Sequence, residues 1–212
     1  VETLSGGTGA DAITLSAALT NASANLGAGS DTLTLANGTN AMTLANVETV
    51  TGGTGNDTLT LGAAVANASL DLGTGNDTVV FGAFTNTATL AGVETVTGGT
   101  GADTVTLGAA LTTGMAVDLA AGSDKVTLAN SANTDTLKNV ETILGGTAAD
   151  AITLGAAASS ASIDLAAGND TITFGNYTNA ATLAGVETVT GGTGADTVTL
   201  AGAFTTAMAL DL

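Results

Sequence analysis

Nine aspartates, Asp11, Asp31, Asp57, Asp77, Asp103, Asp124, Asp150, Asp170 and Asp196, each close a turn rich in small residues. Four of these turns fit the nine-residue pattern Gly-Gly-x-Gly-x-Asp-x-apolar-x. They start at Gly6, Gly52, Gly98 and Gly191 and carry Thr8, Thr54, Thr100 and Thr193 at the third position. Glycine lets the backbone curl so that carbonyl oxygens can point inward. The aspartate adds a carboxylate. A hard, oxygen-only donor set suits Ca²⁺, which accepts irregular shells of about six to eight oxygens, whereas Mg²⁺ demands a tight octahedron and keeps its waters. A single Gly-x-Asp is an ordinary turn with a solvated carboxylate. Nine copies in register point to a metal ladder, with these nine aspartates and the Gly and Thr of the four full turns as ligand candidates. Carboxylates stacked about 4.8 Å apart repel by roughly 1 kcal/mol per pair in water and by more at lower dielectric. The chain has only two basic residues to oppose nineteen acidic ones.

The elements that must hold this ladder follow from an internal repeat. Val-Glu-Thr starts at Val1, Val47, Val93, Val140 and Val186, a period of 46 or 47 residues. The turn aspartates step alternately by 20 or 21 residues and by 26. Periods of this size predict a solenoid. After each turn comes a short alternation such as Thr58-Leu59-Thr60-Leu61 or Thr104-Val105-Thr106-Leu107, the mark of a half-buried strand. Stacked one turn per aspartate, these strands predict a column of Ile13, Leu33, Leu59, Val79, Val105, Val126, Ile152, Ile172 and Val198. That arrangement has about nine coils, a rod of roughly 40 Å, with all metal turns along one edge. In the 26-residue step the apolar residues Leu90, Val93 and Val96 stand three apart. This breaks strand alternation and predicts a bend or bulge with a third short side. The chain has no Pro, as ladder N–H groups require. Helix is not expected anywhere, given the Thr, Gly and β-branched content.

Composition removes several function classes. With no His and no Cys, imidazole catalysis, thiol chemistry and the usual zinc sites are out. A net charge of −17 excludes a nucleic-acid footprint. No apolar run reaches the length of a membrane span, so membrane insertion is not expected. Other carboxylates are Asp71, Asp118, Asp164 and Asp211 on the returning strands, and Glu2, Glu48, Glu94, Glu141 and Glu187 beside the bend. The aspartates are expected to share a column with Thr51, Thr97 and Thr190, and the glutamates to cap N–H groups at the bend. Paired carboxylates can cleave glycosides, but every carboxylate here is repeated and a uniform rod offers no single asymmetric pocket. The chain is therefore expected not to be an enzyme.

The nonapeptide turns resemble those of the RTX (repeats-in-toxin) family of secreted bacterial proteins, over essentially the whole chain. The resemblance implies a right-handed parallel β-solenoid that binds several Ca²⁺ ions, up to about one per gap between successive turns. It also implies type I secretion, folding triggered by calcium, and a place outside or on the surface of a Gram-negative cell. Family members usually carry ligands on both edges; here the intervening turns, such as Ala63 to Asn67 and Asn130 to Asn133, lack Gly-x-Asp. Leu26, Leu72, Leu119 and Leu165 replace the first Gly in alternate copies, and Ala120 and Ala166 replace the second. Ala148 replaces the third Gly of the Gly145 turn. A non-glycine residue held at positive φ costs about 1 kcal/mol, so Ala148→Gly is expected to strengthen that turn.

Residues 1–212 read as one solenoid of 46-residue, two-coil repeats, a piece of a longer repeat protein that continues at both ends. Its expected partners are flanking repeats, other copies of itself and cell-surface or matrix components. The composition is similar to that of surface-layer proteins and giant adhesins, which makes a calcium-rigidified structural module the leading reading. An ice-binding solenoid is one alternative, although its Thr-x-Asn pattern is complete only at Thr54/Asn56 and Thr74/Asn76. The calcium-folded secretion segment of a toxin or enzyme is another.

Overall fold

The computed structural model describes residues 2–202 and 208–212. Val1, the first of the Val-Glu-Thr starts, lies outside the described residues. The described residues form strands and turns and no helix, so no helix is long and apolar enough to cross a membrane. The strands are short and pair in parallel with the coil before and the coil after. This makes a β-solenoid of about ten turns, close to the nine expected. The chain divides into two compact units, residues 1–105 and 106–212.

In the first unit one sheet holds Thr3–Gly7, Thr20–Gly27, Ala41–Ala45, Thr58–Leu61, Thr78–Val80 and Thr95–Thr97. The opposing sheet holds Ala12–Thr14, Thr32–Thr34, Thr49–Thr54, Ala68–Thr74 and Thr87–Ala91. The second unit repeats the plan. Its first sheet runs from Ala116–Asp118 through Thr134–Lys138, Ala151–Leu154, Thr171–Thr173 and Thr188–Thr190 to Ala209–Asp211. Its second holds Lys125–Thr127, Thr142–Leu144, Ser159–Asp164, Ala180–Ala184 and Thr197–Leu200. Alternation puts one apolar side chain per two residues between the sheets. Leu33, Leu59, Val79, Val126, Ile143 and Ile172 are fully buried there.

The register corrects the expected stacking. Ile13 pairs with Leu33, Leu33 with Val50, Val50 with Leu70 and Leu70 with Leu90. Leu59 lies in the other sheet, between Met42 and Val79, and Val79 pairs with Val96. The second unit behaves alike, with Val126–Ile143–Ile163–Leu183 in one sheet and Ile152–Ile172–Val189 in the other. The cause lies in the segment read as a bend. Leu90 and Val96 belong to different strands, joined by a three-residue edge turn at Gly92, Val93 and Glu94. Gly92 and Gly185 reverse the chain at φ of 55° and 54°, and Asn46 and Asn139 do so at 53°. Val47, Val93, Val140 and Val186 are buried beneath these turns. Each repeat thus has five strands, two and a half coils and not two. An odd strand count places each successive repeat on the opposite sheet. The bulge falls elsewhere, where register slips between Thr20 and Ala22 and between Ser159 and Ala161 around left-handed Asn21 and Ser160.

Candidate metal centre

Because each repeat shifts by half a coil, the turn aspartates do not share one edge. In the first unit Asp11, Asp31 and Asp103 lead into the second sheet, whereas Asp57 and Asp77 lead into the first. In the second unit Asp150 and Asp170 occupy one edge and Asp124 and Asp196 the other. The single-edge ladder is therefore corrected to short ladders on both edges. Thr8, Thr54, Thr100 and Thr193 stand exposed at the turn tips, while Gly6, Gly52 and Gly191 are half-buried and Gly98 is buried.

Seven of the nine turn aspartates do not face solvent, while Asp11 and Asp196 are half-buried. Asp31, Asp57, Asp77, Asp103, Asp124, Asp150 and Asp170 are at most 2 % exposed. Each ladder is wired one way: Oδ1 accepts the backbone N–H of the turn residue one coil back. Asp11 donates to Asp31 at 2.8 Å, Asp57 to Asp77 at 2.7 Å and Asp150 to Asp170 at 2.7 Å. Glutamates close the ladders. Glu48 accepts from Asp31 N–H, Glu94 from Asp77, Glu141 from Asp124 and Glu187 from Asp170, all at 2.7–2.8 Å. Their turns are the short ones at Asn46, Gly92, Asn139 and Gly185, and the extra methylene spans the distance a longer turn would cover. Capping was the expected role; the N–H groups capped belong to turn aspartates.

Below Asp57, Asp103, Asp150 and Asp196 sits a residue that the sequence reading passed over. Asn40, Asn86, Asn133 and Asn179 are at most 1 % exposed. Asn40 Oδ1 accepts Leu19 N–H at 3.0 Å, the same bond that Asp57 Oδ1 makes to Asn40 N–H at 2.8 Å. Oδ1 thus plays the same part in the two side chains. Asn40 Nδ2 donates to the carbonyls of Ala36 and Gly38 and to Asp57 Oδ1, at 2.9, 3.0 and 2.9 Å. Asn133 does the same with Ala129, Ser131 and Asp150, and Asn179 with Gly175, Tyr177 and Asp196. A signal was available, since each of these Asn lies 17 residues before a turn aspartate, and Glu48, Glu94, Glu141 and Glu187 lie 17 after one.

Where the asparagines place a donor, the aspartates place a second oxygen. Oδ2 of Asp31, Asp57, Asp77, Asp150, Asp170 and Asp196 is buried and accepts no hydrogen bond. Burial of a charged acceptor without a partner is strongly unfavourable. Burial raises the Asp77 and Asp170 carboxyls above the ordinary range; the N–H of Asp57 or Asp150 opposes this, and the charges of Asp57 and Glu94, or Asp150 and Glu187, add to it. These orphan oxygens fit a cation. Among the described residues no three carboxylates converge on one point, so backbone carbonyls must complete any shell, the donor set that suits Ca²⁺. By analogy with the Asn40 amide, which reaches the Ala36 and Gly38 carbonyls, the group that would hold it is Oδ2 of the turn aspartate with the carbonyls at the same places in its own turn, Gly53 and Gly55 for Asp57.

The strand-end aspartates act differently. Asp71, Asp118 and Asp164 accept the N–H of Gly73, Ala120 and Ala166, two residues on. Those acceptors' partners are the left-handed residues, at φ of 86°, 65° and 66°. The expected neighbours Thr51 and Thr190 do pair with Asp71 and Asp211. Ala148 is not left-handed, so its expected strain is corrected: Ala120 and Ala166 carry it. Asp135 is a second surprise. It pairs with core Ile152, Oδ1 accepts Thr136 N–H, and Oδ2 is buried without a partner.

The family model for the RTX calcium-binding nonapeptide repeat (four copies) matches residues 44–64, 89–110 and 182–201. These segments hold the turns that end at Asp57, Asp103 and Asp196. Together with the parallel solenoid, the match supports an RTX-type calcium-binding β-solenoid. Comparison with curated proteins and comparison with solved structures each gave no match.

Proposed function

We propose that the chain is an extracellular structural module that calcium folds and stiffens, as a length of surface layer, adhesin stalk or matrix filament, and that it is not an enzyme. The observation that carries this is the repetition of one orphaned carboxylate oxygen through both units. A cation added at each repeat bonds a coil to its own turn and to the coil above, so stiffness accumulates with length. A catalyst would concentrate its unusual groups in one place. High negative charge with two lysines keeps the unbound chain expanded until calcium is met, which suits passage through a secretion channel in a low-calcium cell.

The reading is tested on intact source cells. Antibody against the chain should label the surface, and a chelator wash should release the label. Labelling only after the cells are opened would refute the extracellular role. In single-molecule pulling, the force to unravel the chain should rise with millimolar calcium. A force independent of calcium would refute the stiffening role.

A further inference from the structure

We propose that Asn40, Asn86, Asn133 and Asn179 are built-in substitutes for the cation. Their side-chain amides fill turns that would otherwise take Ca²⁺ and so confine the ions to short runs. The inference rests on the calcium reading of the aspartate turns. Stacked turns share a backbone: Gly38 and Gly55 both have positive φ, 101° and 121°, and lie directly one above the other. Asn40 and Asp57 occupy the same place in them and use Oδ1 identically. The one difference is an NH₂ in place of an oxygen. That NH₂ meets three acceptors, two turn carbonyls and the carboxylate of the next coil, in Asn40, Asn133 and Asn179 alike. Such a convergence of oxygens is what a calcium turn offers. Here the amide answers it with covalently attached protons, leaving neither space nor unmatched charge for an ion.

The two ladders through Asn40 and Asn133 begin at a backbone N–H, Leu19 or Leu111, pass a neutral Asn, run through two Asp and end on a Glu; the ladder of Asp11, Asp31 and Glu48 has no Asn rung. The neutral rung gives Asp57, Asp103, Asp150 and Asp196 a partner that calcium does not supply. It also keeps carboxylates on one edge from forming an unbroken stack, whose repulsion would grow with every coil.

Three substitutions test this, read by calcium stoichiometry in equilibrium dialysis and by the calcium concentration at half-folding in circular dichroism. Asn133→Asp should bind one more ion per chain than the parent and need more calcium to fold. Asp150→Asn should bind one ion fewer and need less calcium to fold, because its amide can donate to the Gly146 and Ala148 carbonyls and to Asp170. Asp150→Ala, which removes the orphan oxygen but brings no donor, should not reproduce that gain. An unchanged ion count in folded Asn133→Asp, or a greater calcium demand in Asp150→Asn, would overturn the proposal. Should the parent bind no calcium at all, the calcium reading itself fails. The amide's role is then decided by melting alone, and an Asp150→Asn chain no more stable than the parent refutes it.

Discussion

Removing calcium should unfold this chain at neutral pH, and the size of the effect can be worked from the turns. Among the turn aspartates six buried oxygens, on Asp31, Asp57, Asp77, Asp150, Asp170 and Asp196, have no donor. An unsatisfied buried polar atom costs about 1–3 kcal/mol, so six together cost on the order of 6–18 kcal/mol. A folded domain has only about 5–15 kcal/mol in hand. Calcium sites of extracellular modules have Kd of about 10⁻⁴–10⁻³ M. At about 10 mM free calcium each such site contributes roughly 1.4–2.7 kcal/mol, and six contribute about 8–16 kcal/mol. Gain and cost match, so the fold should stand in millimolar calcium and fail in EGTA. Circular dichroism during a calcium titration reads this directly, as parallel-sheet signal growing cooperatively from a disordered spectrum. A chain with full strand signal and an unchanged melting temperature in EGTA at pH 7.5 would refute the reasoning, because the orphan oxygens would then have some other partner.

Acid should partly replace calcium. Asp77 and Asp170 have folded carboxyl pKa values raised above the unfolded one, so their protonated forms favour the fold. That contribution is complete below the unfolded value near 3.8 and disappears as pH rises through the raised folded value. In EGTA the strand signal should therefore be stronger at pH 4 than at pH 7, and a flat pH profile would count against it. Ala120→Gly and Ala166→Gly relieve left-handed alanines and should each stabilise by about 0.5–1 kcal/mol, whereas Ala148→Gly should not; equal melting shifts at all three would contradict the φ assignments. Asp135→Ala removes a carboxylate from a core position that holds Ala88 and Ala181 in other repeats. It should raise stability by about 1–3 kcal/mol, measured by denaturant unfolding in calcium.

The strands, the buried apolar positions and the turn aspartates were legible because each rests on local pattern. Alternation at Thr58-Leu59-Thr60-Leu61 fixes which side chains go inward whatever the coil length. The stacking was not legible from the aspartates alone, since a 26-residue step fits neither one coil nor two. Seventeen residues from Asp31 to Glu48 make one coil, and nine more to Asp57 make half of the next. Gly92 and Asn46 hide a whole edge turn in three residues, and such compression leaves only an apolar spacing of three as its trace. The buried asparagines escaped notice because an Asn in a Gly- and Thr-rich loop looks like any turn residue until its neighbour one coil away is known. Asp135 stands in a strand otherwise like its equivalents, and no pattern foretells it.

Five strands per repeat also constrain how such a chain can change in length. Loss or gain of one 46-residue segment moves everything after it to the opposite face, so a patch of side chains that had lined up along one side would be split between two. Loss or gain of two segments restores every later residue to its original side. Genes for chains of this kind should then tolerate slippage in steps of two repeats wherever an outer face is under selection. Single-repeat steps should survive only where both faces serve equally well.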